Sequence, residues 1–165
     1  MLTPEVRTVV IGVGNTTLRD DGVGVLVARE IASRLDGGAD AAVIDLGAGG
    51  LRLMEAMAGY DRAIVLDALM TGVVAPGTTV ELQLEDLVAA RNLGCVHDMN
   101  LPVALEWGRA VGISLPVEIR LFGVEAADVT TYGETLTRRV AAAVPELAAR
   151  VLSLISGAPQ QESAP

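Results

Sequence analysis

Three short aliphatic runs, residues 7–13 (RTVVIGV), 41–45 (AAVID) and 62–67 (RAIVLD), each close on a glycine or an aspartate. Runs that stay apolar without alternating are the mark of strands buried on both faces. Such strands belong to a parallel sheet that helices must cover above and below, so no other feature narrows the fold as far. Between the first two runs, Val23, Leu26, Val27, Ile31 and Leu35 recur at helical spacing over residues 21–35. Asp20 and Asp21 at the head of that segment suit a helix cap and the positive end of its dipole. Residues 51–57 read as a short helix.

The second half continues the alternation. Pro76 and Gly77 make a turn, and residues 78–84 alternate as a strand at a sheet edge; residues 85–96 read as irregular or weakly helical. A helix is expected over 100–111, with Pro102 tolerated in its first turn, then a last strand over 117–124 (VEIRLFGV). Residues 134–155 form a long amphipathic pattern that Pro145 should kink or break. The order β-α-β-α-β-β-α-β-α implies an α/β fold: a three-layer sandwich, with a mostly parallel twisted sheet of about five strands and helices on both faces. A chain of 165 residues fits one domain. We expect it to span residues 1–156, with a disordered polar tail over 157–165.

Composition removes several functions. With 51% hydrophobic residues but only 2% aromatic ones, Ala, Val and Leu must fill the core. A net charge of −9 disfavours nucleic acid and suits either simple solubility or a cationic partner, such as a metal ion or a basic peptide tail. Every basic residue is Arg, which rules out the lysine of a phosphate-binding P-loop and the amine of Schiff-base chemistry. Cys95 is the single cysteine, so a disulfide framework and a multi-cysteine zinc site are both impossible. The start of the chain lacks a signal-peptide pattern, and no apolar run approaches the roughly 18–20 residues of a membrane span. A cytoplasmic protein without a membrane partner is the expectation.

Ligands of open parallel sheets sit beyond the carboxyl ends of the strands. Asp45 and Asp67 end expected strands, Asp21 lies just past the first strand's turn, and His97, the single histidine, opens the element after a loop. Two carboxylates and an imidazole form a plausible ligand set for a borderline metal such as nickel or zinc, with positions left for water or substrate. Each residue also has a plainer reading: Asp67 and Asp45 as turn caps, His97 as a hydrogen-bonded surface group, Asp20 as a helix cap, Asn15 as a loop stabiliser. The Gly12-Val13-Gly14 loop between strand and helix invites a dinucleotide, but Thr17 stands where the fingerprint needs a third small residue, and the acidic pair would repel a pyrophosphate. Cys95 and His97, two apart, hint weakly at a thiol peptidase that lacks an orienting third group. The GxSxG and HExxH signatures are absent.

Five co-linear segments resemble the hydrogenase maturation endopeptidases. VIGVGNTTLRDDGVG (10–24) is similar to the family's GxGNxLxxD(D/E)GxG, with Thr17 where an apolar residue is usual. VIDLGAGG (43–50), Asp67-Ala68 followed by Pro76-Gly77-Thr78, His97 with Leu101, and Phe122-Gly123-Val124 followed by Glu125 match its remaining segments in order. The resemblance covers roughly residues 7–154. It implies an endopeptidase that removes a C-terminal extension from the large-subunit precursor of a nickel–iron hydrogenase, after nickel has been inserted. It further implies that Asp21 rather than Asp20, together with Asp67 and His97, contacts a nickel ion carried by the precursor. Those three would be both the metal-contacting and the catalytic residues, with Asp45 and Asn15 in support, in a monomer acting on a large partner. A non-enzymatic nucleotide- or metal-binding accessory module is the competing expectation.

Overall fold

The computed structural model describes residues 6–35, 41–47, 49–84 and 101–157. Five strands form one sheet in the order β2-β1-β3-β5-β4: β1 (Thr8–Val13), β2 (Ala41–Leu46), β3 (Arg62–Leu69), β4 (Thr79–Leu82) and β5 (Glu118–Glu125). All pairings are parallel except β4 against β5, so the expected edge strand is both an edge and the antiparallel one. Among the described residues, four α-helices cover the sheet: α1 (Val23–Arg34), α2 (Leu51–Met57), α3 (Leu101–Ala110) and α4 (Arg138–Ile155). The expected three-layer α/β sandwich is therefore the observed fold.

Each strand's period of two sorts its side chains between two cores. Val10, Ile64, Leu66, Phe122 and Val124 point to the face covered by α1 and α4, where Val27, Ile31, Leu147 and Val151 meet them. Val9, Ile11, Val65 and Leu121 point to the opposite face, against Leu53, Met54 and Met57 of α2 and Leu105 of α3. Both faces are filled with aliphatic carbon, as the run pattern and the scarcity of aromatics require. Phe122 is the one buried ring, stacked beneath the guanidinium groups of Arg150 and Arg120, 4.8 and 5.5 Å from its centroid.

Strand ends differ from the expected ones by up to two residues, β3 running on past Asp67 to Leu69 and β4 stopping at Leu82, and two helix starts differ for identifiable reasons. α1 starts at Val23, because residues Arg19–Gly22 form a separate 3-10 turn ahead of it. α4 starts at Arg138 rather than 134, because Thr137 is extended at ψ 152° and gives its N–H to the buried Asp20 carboxylate at 2.6 Å. Nor is α4 broken at Pro145: one helix runs through it to Ile155. Proline removes its own amide hydrogen bond and crowds the carbonyl four residues back, but the continuous stripe of Val140, Ala143, Leu147 and Val151 seated on the core holds the helix together across it. The expected irregular segment 85–96 and nearly all of the polar tail lie outside the described residues.

Candidate functional site

The strand order turns back on itself at β1: the chain passes first to β2 on one side, then across to β3 on the other. Such a switch point leaves a crevice at the carboxyl ends of the two strands, because the loops that follow them diverge. Asp21 lies on the 3-10 turn after β1, and that turn packs against β3, of which Asp67 is a member. Two glycines make the approach close. A Cβ on Gly14, whose φ is +134°, would stand 1.9 Å from the Asp21 carbonyl oxygen. A Cβ on Gly24 would stand 2.2 Å from the carbonyl oxygen of Leu66, the residue before Asp67. Main chain thus touches main chain between the two acid-bearing segments.

Both acids are sealed in, Asp21 at 2% exposure and Asp67 at 4%. Burying a carboxylate costs several kcal/mol unless polar partners compensate it, and each has a backbone donor. The Asn15 N–H donates to Asp21 Oδ2 at 2.9 Å, and the Ala68 N–H to Asp67 Oδ1 at 2.8 Å. Asn15 is itself fixed, its Oδ1 accepting from the Thr17 N–H at 3.0 Å and the Thr17 hydroxyl at 2.7 Å. The loop that invited a dinucleotide therefore spends its glycines on contact between helix and sheet and its polar groups on holding Asp21.

Asp45 is placed elsewhere. Its row partner in the sheet is Gly12, which in turn pairs with Leu66, so Asp45 and Leu66 share the α1 face. Asp67, one residue on, points to the α2–α3 face. Asp45 is exposed and ion-paired with Arg29 of α1 at 2.8 Å. The structure brings Asp21 and Asp67 to one rim and leaves Asp45 out of it. His97 and Cys95 lie outside the described residues.

Asp20 does not cap α1, contrary to the expectation for it: no side chain bonds the head of that helix. Its fully buried carboxylate instead accepts four hydrogen bonds from the loop before α4. They come from Ala127 N–H at 2.9 Å, Asp128 N–H at 3.1 Å, Thr137 N–H at 2.6 Å and the Thr137 hydroxyl at 2.8 Å. Backbone bonds from Arg19 to Gly133 (2.8 Å) and from Asp20 to Asp128 (3.0 Å) lie alongside. Asp128 has its carboxyl held below the usual carboxylate range, chiefly by Thr131, through side chain and then backbone, and by the Thr130 N–H. Side by side in sequence, Asp20 ties the turn to a distant loop, whereas Asp21 accepts from the Asn15 N–H within its own loop. Glu125 is a buried acid given no role by the sequence pattern, although it follows an apolar run just as Asp67 does; Glu125 ends its strand, whereas β3 continues past Asp67 to Leu69. Its carboxylate binds the loop that follows β3.

As a donor set, two buried carboxylates at one rim suit a divalent cation or proton transfer to and from water. Among the described residues no group of three or more His, Cys, Asp or Glu side chains is gathered to hold a metal ion. None of their helices is long and apolar enough to cross a membrane.

Residues 25–154 match the family model of the hydrogenase maturation proteases. The chain belongs to that family. It is 32% identical over 119 residues to the hydrogenase 2 maturation protease of Escherichia coli, covering 72% of each chain. It is 28% identical over 155 residues to the hydrogenase expression/formation protein HupD of Rhizobium leguminosarum, covering 90% of this chain and 75% of that one. Among solved structures, the E. coli hydrogenase maturating endopeptidase HybD superposes with a TM-score of 0.78 at 28% identity, over 92% of this chain and 93% of the other. A solved hydrogenase 2 maturation peptidase from a Thaumarchaeota archaeon gives 0.63 at 28% identity, over 93% and 99%. The family resemblance read from the sequence is thus borne out, and the accessory-module alternative is set aside.

Proposed function

We propose that this hydrogenase maturation protease cuts the C-terminal extension from a nickel–iron hydrogenase large-subunit precursor once nickel is in place, and that Asp21, Asp67 and His97 read the nickel. The observation that carries the reading is the pair of buried carboxylates at the β1/β3 switch point, each held by a backbone N–H. The metal is cargo of the precursor, not a resident of the protease. Two carboxylate oxygens and an imidazole nitrogen suit a borderline divalent ion and leave positions for other ligands. A loaded precursor would complete the site and an empty one would not, which makes cleavage wait for metal insertion. When bound, the ion supplies Lewis-acid polarisation of a carbonyl or of water.

The protease's own part is an aspartic one. Asp21 or Asp67 takes the proton from the attacking water, and the N–H groups of Asn15 and Ala68 fix the directions in which the two carboxylates face. The acidic chain favours approach of a cationic tail. The enzyme acts in the cytoplasm as a monomer.

The test is electrophoretic processing of nickel-loaded precursor by His97→Ala, Asp21→Asn and Asp67→Asn, with folding checked by circular dichroism. All three should stay folded and leave the precursor uncut. Cleavage at the wild-type rate by any of them removes that residue from the mechanism. Tight stoichiometric nickel in the purified protease alone would overturn the substrate-borne role.

A further inference from the structure

The loop between β3 and β4 begins just beyond Leu69, two residues after Asp67, and it is fastened by one residue of the neighbouring strand. In the β3–β5 register Asp67 faces Gly123 and Leu69 faces Glu125, so the Glu125 side chain points to the same side of the sheet as Asp67. Its buried carboxylate accepts from the Thr71 hydroxyl at 2.7 Å and the Gly72 N–H at 2.6 Å. The Thr71 hydroxyl oxygen in turn accepts from the Val73 N–H at 3.1 Å. At the far end of the loop, the Gly77 N–H donates to the Glu125 carbonyl oxygen at 2.8 Å, and the Glu125 N–H to the Thr78 carbonyl oxygen at 2.9 Å. A single residue therefore anchors both ends.

What the loop presents is apolar: Met70 is 44% exposed and Val73 82% exposed. Large aliphatic side chains turned to water on a segment tied down by charge-assisted bonds make a preformed surface, because ordering that a flexible loop would undergo on binding is already complete. We infer that Glu125 is a positioning residue for substrate binding, holding the loop that carries Met70 and Val73 at the carboxyl end of the Asp67 strand as an apolar surface against which an aliphatic residue of the precursor peptide docks. The inference rests on the peptidase reading above. The continuity of this loop with the strand of Asp67 argues for the peptide rather than any other occupant.

Steady-state processing of nickel-loaded precursor separates the possibilities. Val73→Ser, an exposed change, should raise KM about fivefold and Glu125→Ala about tenfold, as expected for losing part of one buried aliphatic contact and the order of the loop. In both, kcat should fall by less than about threefold. Glu125→Gln, whose side-chain oxygen still accepts from Gly72, should recover most of the wild-type KM. Should Glu125→Ala fail to fold, Val73→Ser and Glu125→Gln carry the test. An unchanged KM in Val73→Ser, or a Glu125→Ala loss seen wholly in kcat, overturns the inference. Failure of the wild-type chain to cut the precursor overturns the functional reading instead.

Discussion

Asp20→Asn separates the two neighbouring aspartates. The change keeps the side chain's shape but turns one acceptor oxygen into an NH2 donor. In the better orientation the amide oxygen replaces Oδ2 and keeps the bonds from Ala127 N–H, Asp128 N–H and the Thr137 hydroxyl. The Thr137 N–H, now 2.6 Å from Oδ1, then meets a second donor. Loss of a hydrogen bond to a charged group costs about 1.5–3 kcal/mol, and a donor left unsatisfied in a sealed position about 1–3 kcal/mol more. The sum is about 4 kcal/mol. For a chain of this size each kcal/mol moves the melting midpoint by about 2–4 °C, so calorimetry should find Asp20→Asn lower by about 8–16 °C. Asp21→Asn can still accept from the Asn15 N–H and should cost only about 1 kcal/mol, while abolishing cleavage. An Asp20→Asn protein melting within about 2 °C of wild type would refute the clamp on which this reasoning depends.

Gly24→Ala places a methyl group 2.2 Å from the Leu66 carbonyl oxygen and should destabilise by about 3 kcal/mol while slowing processing; a variant that keeps wild-type stability and rate would contradict the close-contact reading. The Asp128 carboxyl titrates lower folded than unfolded, so its contribution is present above the unfolded value of about 4 and is lost as pH falls through the folded one. Acid unfolding should accordingly be shallower in Asp128→Asn than in the wild type, and parallel curves would speak against it. Asp45→Asn breaks only the exposed pair with Arg29. Urea unfolding should register less than about 1 kcal/mol, and a loss above about 2 kcal/mol would show that Asp45 holds something more.

The residues that fixed the architecture did so through local pattern. The aliphatic runs of β1, β2 and β3 demanded cover on both faces, and the periodicity of Val23, Val27 and Ile31 supplied one of the helices that gives it. That order of elements, together with the rule that ligands gather at strand carboxyl ends, pointed alike to Asp21, Asp45, Asp67 and His97, and the family resemblance preferred Asp21 to Asp20. Where contacts cross many residues, local pattern has nothing to report. Asp45 and Asp67 look alike as acids at strand ends, yet the register of β1 with its two neighbours turns them to opposite faces. Asp20 resembles a helix cap beside Asp21, but its donors lie 107 to 117 residues away, and taking the Thr137 N–H is also what delays the start of α4. The sequence by itself determined the layers and the chemistry available at their rim. Which buried acid lies at the carboxyl edge of the sheet and which ties down a loop was decided only by the tertiary structure, because a carboxylate's role depends on the donors that folding brings to it.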